Sequence, residues 1–136
     1  MGAQGNEQGA ESRFVLDAGA LIGVERGSGV VSALLEDAEE AGDEVVIPAS
    51  VLAQAWRGGA KAARLARLVN ASEIDDLSES RAKEVGGRLG TRGGRDVVDA
   101  HVVCCAVERE AAILTSDPDD AEALTEPGED VELIRV

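Results

Sequence analysis

Five short strand-like runs, separated by stretches with helical spacing, restrict this chain more than any other feature. They are RFVLD (13–17), EVVIP (44–48), EIDDL (73–77), AAILTSD (111–117) and VELIRV (131–136). Runs of this length rich in Val, Ile and Leu read as buried strands. Pro48 closes the second, since proline has no N–H to give a central ladder. Between them, AGALIGVERG reads as a short helix stopped at Gly27. Residues 28–41 read as a helix capped by Ser28, with Val31, Leu34, Leu35 and Ala38 at helical spacing and Gly42 at its end. Ser50 is placed to cap VLAQAWR, and AKAARLARLV is a good helix former. SESRAKEVGGRLG reads as a helix, TRGGR as a loop, DVVDAHVVCCAVERE as a long helix, and PDDAEAL as a short one with Pro118 in its first turn. Strands alternating with helices mean a mostly parallel sheet covered on both faces, an α/β/α sandwich in three layers.

The 136 residues suffice for one domain with one core. Residues 1–12, MGAQGNEQGAES, lack apolar periodicity and are expected to be a disordered arm, leaving a single domain over 13–136. Phe14 and Trp56 are the only aromatic residues, which disfavours nucleic-acid binding by base stacking. The net charge of −14 argues against nonspecific attraction to DNA or to an anionic membrane. The charge is uneven, however. Nine of the 13 basic residues lie between Arg57 and Arg95, and only five acids share that window. A basic middle of this kind can follow a phosphate backbone, or it can simply be a set of solvated helix faces.

Cys104 and Cys105 are adjacent in an apolar run and read as reduced core thiols, because neighbouring cysteines do not form a disulfide with ordinary geometry. No stretch approaches the ~20 apolar residues of a membrane span, and the N-terminus lacks a signal-peptide pattern. A cytoplasmic protein without a membrane partner is the expectation.

In open α/β sheets the functional crevice lies beyond the carboxyl ends of the strands. Two strands here end in an acid, RFVLD at Asp17 and AAILTSD at Asp117. Asp96 and Asp99 open the long helix, and their i, i+3 spacing puts them on one face. Each acid has a plain alternative role. Asp17 can cap the helix after it, Asp96 and Asp99 form nearly a capping box, and acids around Pro118 suit a helix N-terminus. Together, the four carboxylates would repel unless a cation neutralised them. A hard divalent ion, Mg²⁺ or Mn²⁺, does this while activating water for attack on a phosphodiester. His101, the single histidine, lies in an apolar helix and reads as a packed core residue. No nucleophile elbow, phosphate-binding glycine loop or zinc spacing is present.

Three blocks in this order, FVLDAGALIGVERG, IPASVLAQAWRGG and DVVDAHVVCCAVEREAAILTSDPDD, resemble the PIN-domain family, in particular small prokaryotic toxins of the VapBC type. The resemblance runs from about Phe14 to Val136. It implies a Rossmann-like sandwich, a homodimer, and an Mg²⁺- or Mn²⁺-dependent endoribonuclease restrained by an antitoxin. It assigns the metal-holding acids to Asp17, Asp99 and Asp117, with Asp96 one turn before Asp99 able to add a contact. One position departs from the pattern. Gln54 stands where the family carries a glutamate, and its amide brings no negative charge, though it can orient a water or a ligand. RNA backbone contacts are expected from Arg57, Lys61, Arg64 and Arg67, with Arg92 and Arg95 as a phosphate clamp before the acidic helix. The alternative is a PIN-like module that binds a protein or RNA partner without cleaving.

Overall fold

The computed structural model describes residues 12–136. The five strands are β1 (Arg13–Leu16), β2 (Glu44–Pro48), β3 (Glu73–Asp75), β4 (Ala112–Thr115) and β5 (Leu133–Arg135). They form one sheet in the order β3-β2-β1-β4-β5, and all four pairings are parallel. Its helices are α1 (Ala18–Arg26), α2 (Gly29–Ala41), α3 (Ala49–Ala55), α4 (Ala63–Ala71), α5 (Glu79–Arg92), α6 (Val97–Arg109) and α7 (Pro118–Ala123), with a 3₁₀ turn at Ala60–Ala62 leading into α4. The arrangement is the expected α/β sandwich. Ser12, counted with the arm from sequence, is tied to the domain: its N–H donates to Asp43 and its carbonyl accepts from Glu44 N–H. The rest of the arm lies outside the described residues.

Purely parallel sheets are covered on both faces, so their central strands become continuous apolar runs. Val15 and Leu16 of β1, Val46 and Ile47 of β2, and Ile113 and Leu114 of β4 follow that rule and are buried. Across them lies α6, whose residues from Ala100 to Ala106 are all buried, with α5 packed beside it. Both cysteines are in this stretch and are unpaired, and burial pushes the Cys105 thiol up to about 12, as suits a core thiol.

Several boundaries differ from the sequence reading; β3 stops at Asp75 and α3 at Ala55, and two further differences bear on packing. Ser50 does not cap α3; the helix begins at Ala49, and the Ser50 hydroxyl turns inward to His101. The α5 helix runs through Thr91 and Arg92, which read as loop, and stops at Gly93 in the left-handed region (φ 81°). Gly86, Gly87 and Gly90 are accommodated because they lie on the outer side of α5, where an added Cβ would meet nothing.

Candidate active site

The strand order runs outward from β1 to β2 and β3 on one side, and to β4 and β5 on the other. The order therefore reverses between β1 and β4, and the carboxyl ends of these two strands are where an open α/β sheet places its functional crevice. Asp17 follows β1 directly, and Asp117 follows β4 after Ser116. The two strand ends are stitched together: Asp17 N–H donates to Leu114 O (3.1 Å), and Ser116 N–H donates to Asp17 Oδ2 (3.2 Å). At Gly19, in the first turn of α1, an added Cβ would stand 1.9 Å from Ser116 Oγ, so only glycine lets the strand end approach the helix this closely.

Three of the four acids, Asp17, Asp96 and Asp117, are also caps, as the plain reading anticipated. Asp17 Oδ1 accepts from Ala20 N–H (2.8 Å) and Asp96 Oδ1 from Asp99 N–H (2.9 Å). Asp117 Oδ1 accepts from Asp120 N–H (3.4 Å), while its own N–H donates to Thr115 Oγ1 (2.8 Å). The reciprocal half of a capping box, from Asp99 back to Asp96, is not among the described hydrogen bonds. The Asp99 carboxylate is thus half-buried at the start of α6 without a donor among the described residues.

Electrostatics at Asp99 record what surrounds it. Burial, followed by the negative fields of Asp96, Asp120, Asp17 and Asp117, raises its carboxyl to about 6. The four acids picked out in the sequence are thereby brought into one electrostatic neighbourhood. Asp120 is a fifth member that sequence reasoning left among the helix-terminal acids. Its own carboxyl is pushed up chiefly by Asp117. A signal was available, since Asp117 and Asp120 repeat the i, i+3 spacing of Asp96 and Asp99. Among the described residues no three acidic, histidine or cysteine side chains already surround a common point in coordinating geometry.

The remaining predicted residues are spread more widely. Gln54 is exposed on α3 and takes part in no described hydrogen bond. Arg92 and Arg95 lie at the end of α5 and in the loop leading to Asp96; Arg92 Nε donates to Ala123 O at the end of α7 (3.3 Å). Arg57 folds back on Ala53 O and Trp56 O, and Arg64 reaches Glu25 O at the far end of α1. Arg67 lines a cleft with Glu44 and Glu73, the first residues of β2 and β3, at the end of the sheet opposite the acids. The side chain of Lys61 lies outside what is described.

A second constellation was missed altogether. Asp75, at the carboxyl end of β3, is buried and accepts from Arg81 Nε and Nη2 (3.0 Å each), Arg109 Nη2 (3.0 Å) and His101 Nε2 (2.8 Å). Arg81 also pairs with Glu84 and Glu108, and Arg109 with Glu73. Burial alone would raise the Asp75 carboxyl, but hydrogen bonds from Arg81, His101 and Arg109 outweigh it and hold it at about 2. An ionised Asp75 needs a donor from His101, so Nε2 carries the proton; Nδ1 then meets Ser50 Oγ at 2.8 Å. His101 is a fully buried core residue, as read, yet its surroundings are ionic rather than apolar. Arg81 and Arg88, counted in the basic middle, are turned inward; Arg88 pairs with Glu129 and donates to Leu124 O.

No protein-family model matches the chain, and no curated protein matches it by sequence. Solved structures do. A chain of VapBC2 from Rickettsia felis, bound to a DNA fragment from its promoter, superposes with a TM-score of 0.65 at 15% identity, covering 91% of this chain and 98% of that one. A toxin–antitoxin complex from Klebsiella pneumoniae gives 0.62 at 16% identity, over 79% of this chain and 88% of the other. FitAcB from Neisseria gonorrhoeae gives 0.57 at 17%, over 90% and 96%. The chain has the PIN-domain fold. At such identities the likeness is one of fold, and what the acids do must be argued from their own chemistry.

Proposed function

We propose that this PIN-like domain is a toxin-type nuclease, a divalent-metal-dependent endoribonuclease that hydrolyses phosphodiester bonds at the Asp17–Asp96–Asp99–Asp117 crevice. The observation that carries this reading is Asp99: a half-buried carboxylate that takes no described hydrogen bond, at the switch point of the sheet, its ionisation opposed by burial and by four neighbouring acids. A site that concentrates negative charge and supplies only oxygen donors suits a hard cation, and Mg²⁺ or Mn²⁺ fits that donor chemistry. Asp17, Asp99 and Asp117 would hold the ion with Asp96 assisting, each keeping lone pairs beyond those used in capping. When bound, the ion supplies an activated water and a counter-charge for the phosphate.

The chain's own residues do the rest. Helix caps fix Asp17, Asp96 and Asp117 in orientation, so the carboxylates need little rearrangement. Asp99, whose ionisation burial and the other acids oppose, is the carboxylate that gains most from an arriving cation. Gln54 supplies an amide that can orient water or substrate. Arg92 and Arg95, next to the acidic turn, are the better placed of the RNA contacts; Arg57, Lys61, Arg64 and Arg67 would extend the track over α4. The toxin–antitoxin neighbours support a cognate antitoxin as partner, and a homodimer acting in the cytoplasm completes the proposal.

The deciding experiment is calorimetric titration of Mg²⁺ and Mn²⁺ into the wild type and Asp99→Asn, followed by incubation of both with single-stranded RNA. Saturable binding and EDTA-sensitive cleavage, both lost in the variant, are expected. A protein that binds neither ion, with or without RNA, sinks the nuclease reading. The neutral Gln54 favours one alternative, a PIN-like module that binds a protein or RNA partner without cleavage. Metal binding and RNA cleavage that appear only in Gln54→Glu would establish that alternative.

A further inference from the structure

The edge strand β5 ends beside the acidic crevice. Its register sets Arg135 opposite Thr115, the residue two before Asp117, and Val136 N–H donates to Thr115 O (2.9 Å). From there the exposed Arg135 side chain reaches over the strand end, and its Nη1 lies 3.4 Å from Ser116 O. Ser116 is the residue whose N–H holds Asp17 Oδ2. One backbone carbonyl at that distance occupies little of a guanidinium that carries five donors. Acids crowd this end of the sheet, yet none of the described ion pairs involves Arg135. The buried and part-buried arginines behave differently. Arg81, Arg88 and Arg109 are each bound to one or more carboxylates and are committed to the fold.

We propose that Arg135 is a substrate-binding residue that grips an RNA phosphate next to the one held at the acidic crevice. The inference rests on the nuclease reading above and adds a residue to it. A polyanion approaching a cluster of five acids is repelled unless cations line its approach, and a guanidinium matches phosphate oxygens two at a time. Arg135 is carried by a strand locked in register with β4, so its reach is fixed relative to Asp117. Arg135 stands on the β5 side of the acids, against Ser116 O, and Arg92 on the α7 side, where its Nε donates to Ala123 O (3.3 Å).

The test compares wild type, Arg135→Ala and Arg135→Lys in Mn²⁺-dependent cleavage of a short fluorescein-labelled single-stranded RNA, and in anisotropy titrations over a salt series. Loss of one phosphate contact predicts an increase in KM of about tenfold for Arg135→Ala with kcat little changed, and a salt slope reduced by about one. Arg135→Lys, which keeps the charge and loses the fork, should recover part of the affinity. Mn²⁺ affinity and melting temperature should stay at wild-type values. An active wild type with KM and salt slope unchanged in Arg135→Ala overturns the inference and leaves the nuclease reading intact. A loss confined to kcat, or one explained by a fall in melting temperature, overturns it as well. If the wild type neither binds nor cleaves the RNA, both readings fall together.

Discussion

Two carboxylate sites, one buried and one half-buried, lie at strand ends of one sheet, and they are opposites. At the ends of β1 and β4, Asp99 sits among Asp17, Asp96, Asp117 and Asp120 and is raised to about 6. At the end of β3, Asp75 sits among Arg81, Arg109 and His101 and is lowered to about 2. Both sites are partly desolvated, so burial alone cannot explain the difference; its sign is set by which charges stand nearby. A carboxylate satisfied by cations has no capacity left for chemistry, whereas one crowded by other carboxylates is destabilised until something positive arrives. The first arrangement holds a fold together. The second is what a binding site for a cation or its substrate requires.

The largest effect should come from the satisfied side. Replacing Asp75 by Ala leaves two guanidinium groups and an imidazole without their shared acceptor, and removing one partner of a buried pair costs about 3–5 kcal/mol. Urea unfolding should show that loss as a lower midpoint. A change under about 1 kcal/mol would mean that Glu73, Glu84 and Glu108 can carry Arg81 and Arg109 alone. Asp99→Asn should move the other way. Removing a charge that the folded state opposes should raise stability at pH 7 by roughly 1–2 kcal/mol after allowance for solvent screening. Such a variant would be more stable and inactive, and a destabilised Asp99→Asn would break the comparison.

The pH dependence separates the same two sites. For Asp99 the folded value, about 6, lies above the ordinary 3.8, so the folded state binds the extra proton between those limits. Stability attributable to Asp99 is therefore greatest below about pH 3.8, falls as pH rises toward 6, and stays low at neutrality. For Asp75 the folded value is about 2 against 3.8, so its contribution is present above 3.8 and is lost as pH falls through 2. Melting temperature followed from pH 2 to 8 should show an acid limb and a shallower decline across the middle. Asp99→Asn should flatten the decline and leave the acid limb alone. Saturating Mn²⁺ should offset the decline in the wild type, if the crevice holds the ion.

The contrast also explains what the sequence made legible. Strand ends and helix starts are local features, so Asp17, Asp96, Asp99 and Asp117 were visible from short apolar runs and i, i+3 spacing. The Asp75 network was hidden because its members look like surface charge. Arg81 and Arg88 occur in a polar helix, and the partners of Asp75 and Arg88 lie up to 41 residues away. One trace did exist. Arg81, Val85, Arg88 and Leu89 follow helical spacing, so both arginines occupy the inward stripe of α5, where leucine would be ordinary. Gln54 teaches the opposite lesson: its importance comes from the resemblance, while the structure simply leaves it exposed on α3.

The smallest expected effect tests whether the two regions act independently. The Ser50 hydroxyl links α3 to His101, which lies two residues beyond Asp99 on α6 and leads on to Asp75. Ser50→Ala deprives a buried imidazole nitrogen of its partner, a loss of about 1–2 kcal/mol. If α6 is anchored mainly by its seven consecutive buried residues, its first turn will not move, and Mn²⁺ affinity should match the wild type while stability falls. A weakened ion affinity in Ser50→Ala, with the fold retained, would show instead that the satisfied network sets the position of the unsatisfied one. The ionic core would then be a support for the crevice, and substitutions at Asp75 would have to be read for activity as well as for stability.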